Sequence, residues 1–263
     1  MSILQQICAD KRRHVSEMIS RRPLAVLQDE IAKALPLRGF KTRIYEHKQD
    51  KTIGLIGEIK RASPSRGVIR WDFDPVQLAQ EYEKAGASCL SVLTDMPYFH
   101  GKDEYIMEVK AASSLPILRK DFIVDSYQIY ESRAIGADCI LLIMAALTDM
   151  QVKEFLTVAR EVDLDVLVEV HNLEELQRAS VSGAKLIGVN NRDLNTLEVD
   201  VQTSLDLVGA YPPDVLKVAE SGIKSYAEVQ KLQEAGYNAI LVGESLMRQD
   251  DLGEAVASLM GNA

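Results

Sequence analysis

Cysteine is scarce and unpatterned: Cys8, Cys89 and Cys139 are the only three in 263 residues. The number is odd, the spacing is wide and two of the three sit inside apolar runs. A disulfide framework is therefore excluded, and buried thiols in a reducing compartment are expected. No spacing of His, Cys or acidic residues suggests a metal site. Long apolar stretches are missing too, since none approaches the ~20 residues that a membrane-crossing helix needs. The opening segment MSILQQICADKRRHV has no apolar signal core, so a soluble, cytoplasmic protein with no membrane partner is expected. Positive charge is also in short supply. The 30 Lys and Arg stand against 39 Asp and Glu, for a formal net charge of −9. That balance disfavours nucleic acid as a partner and leaves no general basic field to gather anions, so any anionic ligand must be held by local groups.

What the chain does have is a rhythm. Short β-branched, apolar runs end in polar or charged residues and are each followed by a helical pattern: GLIGEIK near 54, CLSVLTD near 89, PILRKDF near 116, CILLIMA near 139, VLVEVH near 166, LIGVNN near 186, LKVAES near 216 and AILVGES near 239. Eight strand-then-helix units are the signature of a closed (β/α)8 TIM barrel, whose strand C-termini carry the chemistry. The length suits one such domain over residues 1–263 with a modest extension. Helices are expected at 75–85, 103–113, 126–135, 148–162, 172–182, 200–210, 225–235 and 250–260, with starts at Asp74-Pro75, Ser126, Thr148, Asn172 and Ser225. Four exits share one form, AGAS at 85, IGAD at 135, SGAK at 182 and AGYN at 235, each with glycine in a left-handed cap position.

Residues 1–45 stand outside the rhythm and form an N-terminal helical extension. Two helical patterns, about 3–20 and 23–35, carry apolar stripes through Ile3, Ile7 and Val15 and through Leu24, Leu27 and Ile31. Their Lys11, Arg12, Arg13, Arg21 and Arg22 read as a solvated basic face on helices packed against the barrel. Residues 46–52, EHKQDKT, read as an exposed connection into the first strand.

Side chains alternate along a strand, so residues two apart lie on one side, roughly 6.5–7 Å from each other. If Leu55 and Ile59 pack outward, Glu58 and Lys60 enter the barrel mouth. The same step pairs Asn190 with Arg192 and Glu169 with His171, and it turns Lys120 away from Arg119 and Asp121. Each charge alone is accounted for by a structural ion network. Together at one rim, opposite charges in a cleft are the arrangement that shifts pKa values and supports proton transfer. AESGI (219–223) and VGES (242–245) place glycines directly after the last two strands, the usual phosphate grip of barrels, where Glu244 can offer only its amide. The loop KRASPSRG (60–67) can order around a ligand, and in MPYFHG (96–101) Tyr98 and Phe99 can stack on an aromatic one. His100 and His171 are given no catalytic role, and His14 and His47 lie outside the barrel pattern.

The strings EIKRASPSRG (58–67), SVLTDMPYFHG (91–101), LPILRKDFIVDSYQIYESRAIGADCILLI (115–143), VLVEVHN (166–172), IGVNNRDLNT (187–196), VAESGI (218–223) and LVGESLM (241–247) together resemble the indole-3-glycerol phosphate synthase family. The resemblance spans all eight strands and the N-terminal helices. It implies conversion of 1-(2-carboxyphenylamino)-1-deoxyribulose 5-phosphate into indole-3-glycerol phosphate with loss of CO2 and water, without metal or organic cofactor. By motif, Lys120 is the general acid of ring closure and Glu169 assists proton removal or dehydration, while Glu58, Lys60, Asn190, Glu220 and Ser221 complete the polar site. Arg192 and Ser63 help hold the substrate, and Gly222, Gly243 and Glu244 hold its phosphate through backbone groups. Phe99, Phe122, Leu141 and Leu194 face the anthranilate ring. His100 stands where the family usually has Gln, and Lys102 where a small residue is common. A monomer is expected, with other tryptophan-pathway enzymes as candidate partners. Two readings compete with this one: a Schiff-base aldolase or lyase on a sugar phosphate, and a non-catalytic barrel that binds a phosphorylated ligand.

Overall fold

The computed structural model describes residues 2–193, 196 and 198–262. Eight strands, β1 (Gly54–Ile59), β2 (Cys89–Leu93), β3 (Ile117–Lys120), β4 (Cys139–Ile143), β5 (Asp165–Val170), β6 (Leu186–Asn190), β7 (Leu216–Glu220) and β8 (Ala239–Val242), close into a barrel in sequence order. Every pairing is parallel, and β1 seals the ring by lying beside both β8 and β2, with Gly57 opposite Val242 and Ile56 opposite Cys89. These are the eight runs expected from the sequence. They are strands because their residues are buried on both faces, one against the barrel interior and one against the helices.

Alternation sorts the core into an inner and an outer part. Ile56, Leu118, Cys139, Leu167, Leu216 and Leu241 pack inside the ring. Leu55, Ile59, Val92 and Ile117 face out onto Leu78 and Ile106 of the surrounding helices, while Ile140, Leu142, Val168 and Ile187 meet Phe155 and Leu176. Leu55 and Ile59 do point outward, and Glu58 and Lys60 therefore point in. Cys8, Cys89 and Cys139 are all buried free thiols.

The outer helices follow at Pro75–Lys84, Glu104–Ala112, Tyr127–Ala134, Asp149–Glu161, Leu173–Ser182, Gln202–Leu207, Tyr226–Glu234 and Leu252–Met260. Asp74, Thr148, Asn172 and Ser225 cap theirs by accepting from backbone N–H groups. Ser126 does not cap. The neighbouring Asp125 takes that place, its carboxylate accepting from Tyr127 N at 2.9 Å. The exit glycines Gly86, Gly136, Gly183 and Gly236 all have positive φ, between 88° and 97°.

The N-terminal region holds three helices, where the sequence suggested two: α1 (Ile3–Arg21), α2 (Leu24–Ile31) and α3 (Phe40–Asp50). The segment read as an exposed connection is largely the second half of α3. Its polar string conceals an amphipathic helix whose apolar anchors come earlier, at Phe40 and Ile44. Both are fully buried and close the floor of the barrel as part of the inner core, each worth about 1.5–3 kcal/mol of burial. Lys41 N donates to Asp165 Oδ2 at 2.8 Å, tying α3 to the start of β5.

Helix α1 lies at the opposite end, over the mouth. Ile7 and Val15 are buried, as is Leu27 of α2, whereas Ile3 and Leu24 are exposed. Lys11 is no part of a solvated face: it is 8% exposed, with Nζ 2.8 Å from Asp95 and 2.7 Å from Asp121, at the ends of β2 and β3. No helix among the described residues is long and apolar enough to cross a membrane.

Candidate active site

A cavity of about 780 Å³ opens at the C-terminal ends of the strands. Lys120, the last residue of β3, extends into it between two carboxylates, with Nζ 2.6 Å from Glu220 Oε2 on β7 and 3.1 Å from Glu169 Oε2 on β5. On β1, Lys60 Nζ lies 2.6 Å from Glu58 Oε1. Burial opposes the Lys120 charge, but Glu220, Glu169 and Glu58 outweigh it and hold the ammonium above its ordinary range. Burial would likewise raise Glu169, yet Lys120 and His171 overcome it and keep that carboxyl far below the usual range. Glu220 goes the other way: burial, reinforced by the nearby Glu169 charge and opposed by Lys120, pushes it up to about 7. Two carboxyl groups on one ammonium are thus driven apart, the pattern that separates a base from a proton-holding partner.

Backbone detail positions these groups. A Cβ on Gly188 would sit 2.1 Å from Glu220 Oε1, so glycine on β6 is what lets Glu220 lie flat against the neighbouring strand. A Cβ on Gly243 would meet Glu58 Oε1 at 2.5 Å. Ser221 adopts φ 67°, a left-handed conformation uncommon for a residue with a side chain, followed by Gly222 at 81°. The turn is pinned by Asn191, whose Nδ2 donates to Ser221 O at 3.1 Å while its Oδ1 accepts from Ser204 N and Oγ. Asn191 falls on the strand phase opposite to Asn190 and Arg192. Its structural part comes through a backbone carbonyl, and the only sequence cue was a second polar residue after Asn190.

One wall is apolar. Phe99 and Phe122 meet with ring centroids 6.0 Å apart, and Leu141 lines the same space. Tyr98 does not join them, because its hydroxyl donates to Asp10 of α1. Across the cavity stand Arg192, Ser221, Gly222, Gly243 and Glu244. The Glu244 carboxylate accepts from Arg192 (3.3 Å) and contacts Arg66 (3.1 Å) and Arg248 (3.4 Å). Asn190 lines the cavity and its Oδ1 accepts from Arg192 N at 3.0 Å. Ser63 lies in a two-residue ribbon, Ala62–Ser63 against Gly67–Val68, and is not among the cavity-lining residues. Leu194 lies outside the described residues. The remaining sequence-predicted residues, Glu58, Lys60, Lys120, Glu169, Asn190, Glu220, Ser221, Phe99, Phe122, Leu141, Arg192, Gly222, Gly243 and Glu244, share this one cavity. The sequence reading overlooked Leu4, by which α1 reaches the same space.

Fold and cavity are those of a (β/α)8-barrel protein with paired acid and base groups at its mouth. The family model described as indole-3-glycerol phosphate synthase matches residues 4–259. A protein of that name from Azospirillum brasilense is 52% identical over 258 residues, 98% of each chain. One from Polaromonas naphthalenivorans is 47% identical, again over 98% of each. The chain belongs to the indole-3-glycerol phosphate synthase family. Among solved structures, a tryptophan synthase α-subunit variant from Pyrococcus furiosus aligns with TM-score 0.62 at 17% identity, covering 79% of this chain and 98% of that one. A thiamine phosphate pyrophosphorylase from the same organism aligns with TM-score 0.60 at 17% identity, covering 80% and 95%. At such identity these two speak for the barrel alone.

Proposed function

We propose that this chain closes the indole ring, converting 1-(2-carboxyphenylamino)-1-deoxyribulose 5-phosphate into indole-3-glycerol phosphate with release of CO2 and water. The observation that carries this reading is the Lys120 ammonium held between Glu169 and Glu220, with an aromatic wall on one side and an arginine-bearing rim across from it. The wall of Phe99, Phe122 and Leu141 takes the anthranilate ring, a role the family motif gives to Leu194 as well. The rim takes the phosphate through the backbone of Gly222, Gly243 and Glu244, with Arg192 helping to hold the substrate. Fixing both ends of a flexible molecule accounts for a large part of any cyclisation barrier.

In the first step the ring carbon bearing the carboxylate attacks the ketone carbon, and Lys120 protonates the ketone oxygen. Loss of CO2 returns the electron pair to the ring. In the second step the new hydroxyl leaves as water with a proton from Lys60, which Glu58 steadies, while Glu169 removes a proton from the adjacent CH2. Glu220, Asn190 and Ser221 complete the polar surround. A Schiff base requires Lys120 as a neutral amine, and three carboxylates that favour its ammonium count against that alternative.

The test is appearance of indole fluorescence from the carboxyphenylamino substrate, with Lys120→Ala and Glu169→Gln run beside the wild type. Each variant should lose at least ~10²-fold in kcat, the usual cost of removing a proton-transfer group. Unchanged turnover in both would overturn the assigned roles. An adduct trapped by borohydride on Lys120 would favour the Schiff-base reading instead.

A further inference from the structure

His171 is a titratable group at the mouth, its side chain 10% exposed, that the roles above leave unused. It follows Glu169 by two residues at the end of β5, so imidazole and carboxylate leave the chain on the same side. Nε2 lies 3.3 Å from Glu169 Oε1, and Nδ1 lies 3.1 Å from Glu175 Oε2 on the following helix. Burial works against the imidazolium, but the two carboxylates prevail and raise His171 to about 10. Nε2 has no well-aligned hydrogen-bond acceptor, so its approach to Glu169 is a charge contact. Glu169 faces the substrate cavity. His171 and Glu175 face a second one, of about 600 Å³, beneath the start of α1, beside Arg12, Asn172 and Asp193.

The chemistry assigned above, on which this inference rests, has a proton deficit. The substrate carries a carboxylate and a phosphate, and the product carries the phosphate alone, so one proton is consumed per turnover. Two protons are given up, to the ketone oxygen and to the departing hydroxyl, and one is recovered from the CH2 by Glu169. The missing proton must come from outside a cavity that the substrate itself fills.

We propose that His171 is a proton shuttle that recharges the site from the second cavity. After ring closure has left Lys120 neutral, the imidazolium passes its Nε2 proton to Glu169, which hands a proton on to Lys120 across the 3.1 Å contact between them; the proton that Glu169 later takes from the CH2 returns to Lys60 once the product leaves the cavity that both residues line. The neutral ring turns into the second cavity, takes a proton from water or buffer on the emptied nitrogen, and returns between Glu169 and Glu175. Glu175, which also accepts from the backbone N of His171 at 2.8 Å, stabilises the recharged cation. His171 touches no reacting atom and acts through Glu169.

The experiment measures steady-state indole formation by the full chain and by His171→Ala at saturating substrate, in buffers of low and high concentration, with and without added imidazole. The variant should lose about tenfold or more in kcat with little change in KM. Its rate should rise with imidazole and with small-buffer concentration, while the wild type ignores both. His171→Gln, which keeps a polar side chain at the site but cannot shuttle, should be equally slow and guards against a folding defect in the alanine variant. A wild type that forms indole alongside variants that match its rate, or that stay slow regardless of imidazole and buffer strength, would overturn the shuttle alone. Absence of indole from the wild type would remove the reaction and the shuttle together.

Discussion

Gly188 owes its place to a carboxylate on another strand. With a Cβ only 2.1 Å from Glu220 Oε1, Gly188→Ala must push Glu220 away from Lys120 and leave the ammonium tied to Glu169 alone. The backbone there is ordinary extended strand and gains nothing from glycine itself. Displacements of about 1 Å at a reacting centre cost on the order of 10² in rate, so kcat for Gly188→Ala should fall by roughly that factor while the urea midpoint moves little. Wild-type kcat in this variant would mean that Glu220 is not needed where it stands. Glu58, Lys60, Lys120, Glu169 and Glu220 were legible as residues of the barrel mouth because each ends an apolar run on the inward phase of the strand. Ser63, taken from the motif as a substrate contact, is not among the cavity-lining residues, because a turn composition says nothing of where its side chains end. Tyr98 was misread since its partner, Asp10, is 88 positions away and no local pattern announces it.

At the scale of elements, one buried cation is among the ties that hold α1 to the barrel. Burial would raise the Asp121 carboxyl, but Lys11 and Arg119 outweigh it and lower it to about 2. A folded pKa below the unfolded value of ~3.9 means stability that is present above about pH 4 and lost as the pH falls toward 2. For a group this buried the shift amounts to about 2 kcal/mol. Lys11→Met should leave Asp95 and Asp121 buried without their cation, costing ~3–5 kcal/mol near neutral pH, and because protonation of those carboxyls relieves the cost, the deficit relative to wild type should shrink as the pH falls toward 2. Urea titrations between pH 2 and 6, with proteolytic nicking of α1 as a second readout, check both effects. An unchanged acid profile would show that α1 is held by its remaining contacts without help from Lys11. The sequence made the barrel elements visible through periods of two and 3.6, yet hid this link, since a lysine among four arginines looks like any solvated helix face. Helix α3 escaped for a related reason: only Phe40 and Ile44 mark its buried side, and the polar string after them has the composition of a loop.

On the scale of the whole molecule, closure is what makes the rest work. The ring of strands has no free edge, α3 stoppers one end, and the apolar layers leave just the other end for charge. That much followed from counting eight units. Which groups across the mouth would meet was not countable, because strands five, six and seven place Glu169, Gly188 and Glu220 together only after the barrel has curved.

Glu244 has a consequence for how the molecule gathers its anion. Its carboxylate is shared by Arg66, Arg192 and Arg248, which offsets part of the rim's positive charge, and the chain as a whole carries a formal net charge of −9. Little attractive field then reaches the surrounding electrolyte, and a trianion should arrive by unguided diffusion, feeling the arginines only on contact. Raising NaCl from 20 to 200 mM should therefore change kcat/KM far less than the tenfold or more that long-range steering confers. A steep decline would reveal that Glu244 lets go of its arginines before the ligand arrives.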